Sequence, residues 1–331
     1  MGRTEGIRGP YRASARQLAT ARAAGPVEGS FRWSIARQNR RMDRTVVLHV
    51  DDVGMCHGAN VAFVELSRLG TVTSGSVMVP CPWFPEAAEL AARDHMLDLG
   101  VHFTLTSEKT HYRWGPLTRP SAAAGLTDPH GYLWRDVSSV RRHAHPDAVE
   151  AEMRAQVDRA LAAGIDVTHL DAHMGATLAP EFADAYIRIA TDYRLPLLMT
   201  TTVAGYAPNN HLVGVDQATY ELLATAAVAH GQRLFDTVLE TNWSRAGEAM
   251  PLYKGLIGEV PNGLTFVCLH PNAPGELEFI EPESSSIRTD EYDLFRSESW
   301  GAWLAEQRVT LTGMRPFRDR LRAGQPSRQS S

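Results

Sequence analysis

The sequence predicts an α/β fold, a (β/α)-barrel-like parallel sheet, closed or nearly closed, in a single domain. Three observations predict it. From residue 43 onward, short apolar runs rich in β-branched residues alternate with segments of helical periodicity, the pattern of βαβ units. The alternation repeats about six to eight times, enough for a sheet to curl toward closure. Polar clusters recur at the ends of the apolar runs, and in such barrels the C-terminal strand ends converge on one face. An open doubly wound sheet is the alternative.

The elements follow in order. TVVLHV (45–50) reads as a buried parallel strand. Residues 59–69 have apolar positions at helical spacing and stop at Gly70. Strands are expected at 72–79 and 97–105, with a helix at 85–93 between them. Residues 106–145 break the rhythm and are expected to be an insertion loop; a loop of that length in a compact domain is usually functional or disordered. Its aromatics Trp114, Tyr132 and Trp134 are candidates for substrate contact, with packing of the loop as the alternative. A helix is expected at 146–163, ending at Gly164, then a strand at 167–170, a helix at 180–193 and a strand at 196–200. Helices near 216–230 and 245–259 flank a short strand near 234–238. A strand at 264–269, a helix at 290–307, a strand at 309–311 and an Arg-rich tail follow.

The 331 residues divide into a leader at 1–42, a catalytic domain at 43–313 and an Arg/Ser-rich tail at 314–331. Residues 1–41 hold nine Arg against Glu5 and Glu28, a net of +7. The net charge of the chain is −5, so the rest carries −12. The leader has no apolar stretch of the secretory kind and is expected to be a disordered extension, or a start placed ahead of Met42. An acidic body argues against nucleic acid as partner. No apolar run approaches the roughly 20 residues of a membrane span, so no membrane partner is expected. Cys56, Cys81 and Cys268 are scattered and odd in number, which suits a reducing cytoplasm rather than a disulfide framework. A homo-oligomer is compatible with all of this.

Four polar clusters carry the chemistry. Asp51–Asp52 follow the first strand, His102 lies in the third, His169-Leu-Asp171-Ala-His173 ends the fourth, and His270-Pro-Asn272 follows LTFVCL. Adjacent aspartates on a strand end point to opposite faces unless the chain has already turned. On a strand, His169 and His173 reach one site only if the chain turns between them, and Asp171 can orient a histidine through its second ring nitrogen. Each residue alone is as readily structural. Gathered at one rim, a carboxylate and imidazoles make the usual ligand set of a borderline metal. The chain has no GxSxG, GxGxxG or GxxxxGK[ST] motif.

The segments VDDVG (50–54), GVHFTL (100–105), THLDAH (168–173) and CLHPN (268–272), in this order, resemble the YdjC/ChbG-like carbohydrate deacetylases. The resemblance runs over about residues 44–312. It departs from the family pattern at Val50 and Val53 beside the aspartates and at Asn272, where the family has glycine. The resemblance implies a barrel and one divalent metal, magnesium or zinc first, manganese or cobalt next. It implies an N-acetylated sugar or oligosaccharide as substrate and hydrolysis of its acetamide. By position it makes Asp52, His102 and His173 metal ligands, Asp51 the general base and His270 the general acid. His169 and Asp171 become supporting groups or further ligands. Two other readings remain: a non-catalytic carbohydrate- or metal-binding protein on the same fold, and an iron oxygenase using two histidines and a carboxylate.

Overall fold

The computed structural model describes residues 44–206, 215–244 and 247–324. The leader expected at 1–42 and the last residues of the tail lie outside the described residues.

Seven strands and eleven α-helices are described. The strands are β1 (Arg44–Val53), β2 (Ser74–Val77), β3 (Leu99–Phe103), β4 (Leu170–Ala172), β5 (Thr237–Glu240), β6 (Gly263–Leu269) and β7 (Thr310–Leu311). The helices are α1 (His57–Leu69), α2 (Phe84–Arg93), α3 (Val137–His143), α4 (Pro146–Ala162), α5 (Pro180–Tyr193), α6 (Gln217–Ala229), α7 (Ala249–Gly258), α8 (Leu277–Ile280), α9 (Ser285–Phe295), α10 (Glu298–Glu306) and α11 (Arg315–Ala323). All strand pairs are parallel, in the order β4-β3-β2-β1-β6-β5, with β7 beside β1. The sheet curls, and the gap between its edges is spanned by residues 196–201. Leu198 N donates to Leu170 O at 2.8 Å, and Phe235 N donates to Met199 O at 2.9 Å just ahead of β5. The barrel-like parallel sheet is as expected.

Side chains alternate across β1. Val46, Leu48 and Val50 pack in the large cluster shared with the helices. Val47 packs with Leu198, Phe235, Val238, Leu264, Phe266, Cys268 and Met314 inside the curl. The inner row of β1 therefore climbs from Val47 through His49 to Asp51, from an apolar floor to a polar rim.

Several boundaries differ from the expectation. The fourth strand lies at Leu170–Ala172 rather than 167–170, and residues 196–200 form isolated bridges only. The single helix expected at 290–307 is two, α9 and α10, because Ser297 caps a new helix by accepting from Trp300 N. The Arg/Ser-rich tail begins with α11, tied down where Arg315 and Arg318 pair with Asp166. The 106–145 insertion is folded in part, with a 3₁₀ turn at Ala122–Ala124 and α3. Among the described residues no helix is long and apolar enough to cross a membrane.

Candidate active site

The two aspartates reach one pocket because β1 does not continue as a regular strand. Its register with β2 shifts between Val50 and Val53, and Asp52 takes a left-handed φ of 62°. Asp tolerates that conformation better than most residues. His102 Nε2 is consequently 3.4 Å from Asp52 Oδ1 and 4.0 Å from Asp51 Oδ2. The chain turns again after β4, where Met174 has φ 53° and Gly175 φ 63°. His173, the last residue before that turn and on the same face of the chain as Asp171, holds Nδ1 3.1 Å from the same Asp52 Oδ1. Asp52, His102 and His173 each offer a ligand atom within 4.8 Å of the others.

The outer nitrogens show which way these rings are protonated. His102 Nδ1 lies 2.9 Å from Asp171 Oδ1, and Ser76 Oγ, 3.0 Å from the same nitrogen, donates to Asp171 Oδ2 at 2.8 Å. His173 Nε2 lies 3.1 Å from Glu108 Oε2. A carboxylate only accepts, so Nδ1 of His102 and Nε2 of His173 carry the protons. In the neutral rings, lone pairs then remain on His102 Nε2 and His173 Nδ1, both turned toward Asp52 Oδ1. That oxygen is buried and, while both rings face it with lone pairs, accepts no hydrogen bond. Three lone-pair atoms converging in a buried space fit a cation, and carboxylate-backed histidines are the usual way to hold one.

Without a cation, protons answer the same field. Burial opposes charging of His173, but Glu108 and Asp52 outweigh it and raise the ring to about 9. Burial likewise opposes charging of His102, and Asp171 and Asp51 hold it well above the usual imidazole range. Burial would raise the Asp52 carboxyl, yet Arg288 and His173 hold it well below the ordinary value. Arg288 Nη1 donates to Asp52 Oδ2 at 2.8 Å, which leaves Oδ1 as the oxygen facing the two rings.

Across the pocket, Asp51 Oδ1 is held by His49 Nδ1 at 2.7 Å, while Oδ2 lies 3.6 Å from His270 Nε2. Thr241 Oγ1 donates to Glu291 Oε1 at 2.6 Å and lies 2.8 Å from His270 Nδ1. Its hydroxyl proton is committed to the carboxylate, so His270 Nδ1–H donates to it and Nε2 faces the pocket bare. Burial pushes the His270 ring down to about 4, so it is neutral at ordinary pH in the metal-free protein. Asn272, in place of the family glycine, is buried, accepts from Cys56 Sγ at 2.9 Å and donates to Ala273 O. Burial raises the Cys56 thiol to about 11, which makes it an inert packing residue.

The structure thus brings Asp51, Asp52, His102, Asp171, His173 and His270 to one cavity of about 360 Å³. It separates His169, which lies beneath Asp51 with its Nε2 2.9 Å from His49 Nε2. His49, His169 and Asp171 also form a group with metal-ligand spacing, but there the two rings are hydrogen-bonded to each other. Trp114, Tyr132 and Trp134 do not line the cavity. Trp114 is buried and donates to Thr106 O; Trp134 donates to Gly125 O and stacks on His143. These two tryptophans pack the insertion together. Tyr206, Trp243, Glu108, Lys109, Glu281 and Arg288 line the cavity instead. Glu108 sits five residues past β3, where its position was a usable signal. Arg288 comes from α9, far from any strand end, and nothing in the sequence marked it.

The sequence matches the family described as YdjC-like protein over residues 45–306. It is 37% identical over 179 residues to a carbohydrate deacetylase of Thermus thermophilus, an alignment covering 54% of this chain and 62% of that protein. It is 30% identical over 155 residues to a carbohydrate deacetylase of Thermoanaerobacter pseudethanolicus, covering 47% and 60%. The matched part of this chain thus spans less than two thirds of those relatives. In fold it is similar to a solved protein of Enterococcus faecalis named for cellobiose-phosphate cleavage, with TM-score 0.67, 20% identity, and coverage of 83% of this chain and 98% of that one. With the family pattern running through β1, β3, β4 and β6, the chain belongs to the YdjC-like family.

Proposed function

We propose that the protein is a metal-dependent hydrolase that removes the acetyl group from an N-acetylated sugar or oligosaccharide. The observation that carries this reading is the convergence of Asp52 Oδ1, His102 Nε2 and His173 Nδ1 beside a second carboxylate and imidazole, Asp51 and His270, 3.6 Å apart. The matched relatives bear the name carbohydrate deacetylase, and a cation site beside a base and an acid is one of the sets that can hydrolyse an amide.

A divalent cation held by Asp52, His102 and His173 would supply Lewis acidity to the attacking water and the acetamide carbonyl. One carboxylate with two imidazoles suits zinc and magnesium, and also manganese and cobalt. Asp51 Oδ2 is free to take the proton of the water, since Oδ1 is occupied by His49. His270 Nε2 delivers a proton to the departing nitrogen. The ring is neutral at rest, so it must be charged in each turnover, and Asp51 Oδ2 is the carboxylate oxygen beside it. Thr241 and Glu291 keep Nε2 aimed at the pocket. Trp243, whose ring centre is 4.6 Å from that of His270, gives the cavity an aromatic wall for the apolar face of a sugar. The cysteines are buried and free of disulfides, in keeping with a reducing compartment.

The test is acetate release from N-acetylated mono- and oligosaccharides by the chelated protein and after zinc or magnesium is added back. Release that follows the metal supports the reading. His270→Ala should keep stoichiometric zinc and lose about 10²–10⁴-fold in turnover. Metal-loaded protein that frees no acetate from any of these sugars overturns it.

A further inference from the structure

Two imidazoles are buried inside the sheet below the pocket, and neither reaches it. His49 and His169 are both fully buried, in a layer where the same face of β1 otherwise carries Val47. An unpaired polar group there carries a desolvation penalty with nothing to offset it, so the hydrogen bonds of each ring matter. His49 Nδ1 lies 2.7 Å from Asp51 Oδ1, His49 Nε2 lies 2.9 Å from His169 Nε2, and His169 Nδ1 lies 2.9 Å from Thr168 Oγ1. Every ring nitrogen is engaged. His49 Nδ1 must carry a proton, because the Asp51 carboxylate only accepts.

The two rings cannot easily turn. The His49 ring packs on Phe266 with centroids 4.7 Å apart and meets the His169 ring edge-on at 81°. Gly100 of β3 makes the space for His169: a Cβ there would stand 2.6 Å from its ring. Burial and the neighbouring His49 push the His169 ring down to about 3, so it stays a neutral spacer at ordinary pH.

We propose that His49, braced by His169, is the positioning residue of Asp51: it captures Oδ1 from below and thereby presents Oδ2 to the water and to His270. This rests on the reading of Asp51 as the base. Without the brace, the carboxylate is free to rotate about its Cβ–Cγ bond and to swing toward the His102 side of the pocket. Misplacing a reacting group by about 1 Å costs on the order of 10²-fold in rate.

The test has two arms. The first needs no activity: ¹⁵N histidine spectra of the wild-type, metal-free protein should show His49 protonated at Nδ1 and a neutral His169 at pH 7. A His49 ring with a bare Nδ1 overturns the proposal, whatever the protein's reaction. The second compares His49→Leu with His49→Asn, whose side-chain amide places a donor near the former Nδ1. With zinc content and melting temperature held near wild type, His49→Leu should lower kcat by about 10–10²-fold with KM little changed. His49→Asn should recover most of that loss. A folded, zinc-loaded His49→Leu protein with wild-type kcat overturns the proposal, as does an Asn variant no better than Leu. If His49→Leu does not fold, the spectra decide. A wild-type protein that releases no acetate rejects the deacetylase reading alone and leaves the spectral arm to decide the brace.

Discussion

Arg288 and Asp52, 236 positions apart in sequence, form a buried ion pair at 2.8 Å. The pair takes one oxygen of Asp52 out of contention and points the other at two histidines. Arg288 Nη2 also pairs with Glu281 at 3.1 Å, and its guanidinium lies over the Trp243 ring. One cation from α9 therefore organises the carboxylate at the centre of the pocket and the aromatic wall beside it.

Removing that cation should be costly. Breaking a buried pair by deleting one partner typically costs about 3–5 kcal/mol, so Arg288→Met should lower the unfolding free energy of the chelated protein by that order. A divalent ion on Asp52 would restore part of the lost positive charge. Zinc should therefore raise the melting temperature more in Arg288→Met than in wild type. Calorimetry of both proteins with chelator and with zinc checks this, and equal zinc-induced shifts would count against Asp52 as a ligand.

The ligands and their supports should separate by severity. Asp52→Ala and His173→Ala are expected to abolish stoichiometric zinc binding. Asp171→Asn and Glu108→Gln leave the ligands in place and weaken only what orients them, so zinc affinity should fall about 10–100-fold. Competition titration against a chromophoric chelator gives the affinities. Asp171→Asn and Glu108→Gln matching Asp52→Ala would mean that their carboxylates bind the ion directly.

His270 makes the metal-free protein acid-sensitive. The ring charges near pH 6.5 in the unfolded chain and near 4 in the fold, where burial opposes the charged form. Between those values the unfolded state binds the extra proton, so stability falls as pH falls through this window and no further below it. A shift of this size amounts to about 3 kcal/mol. His270→Gln should flatten the loss of stability between pH 6.5 and 4 in denaturant titrations with chelator present. An unchanged pH profile would place the sensitivity elsewhere.

Gly100 offers a separate check on the buried rings. A methyl group there meets both the ring and the backbone oxygen of His169 at 2.6 Å, so Gly100→Ala should destabilise the protein by about 1–3 kcal/mol through overpacking. The same variant should perturb the ¹⁵N signals of His169 and His49. Wild-type stability by denaturant unfolding would show that the space under Asp51 is larger than the structure has it.

Much of this protein could be read from its sequence. Apolar runs such as TVVLHV, and helix stops such as Gly70, with φ 73°, are local properties, and they predicted the parallel, barrel-like sheet. The polar residues at the ends of those runs marked Asp51, Asp52, His102, His173 and His270 because parallel strands place their C-terminal ends together. What the sequence could not show depends on long-range contact and on departures from regular backbone. Asp52 joins Asp51 in one pocket through a left-handed residue that no alternation rule anticipates. His169 and His173 part company because four residues of extended chain hold them about 13 Å apart on one face, and Gly100 leaves a space for the lower ring beneath Asp51. Arg288, Thr241 and Glu291 took their places only in the tertiary structure: a buried charge or hydroxyl is set by the partner it meets, and its own sequence neighbours carry no trace of that partner.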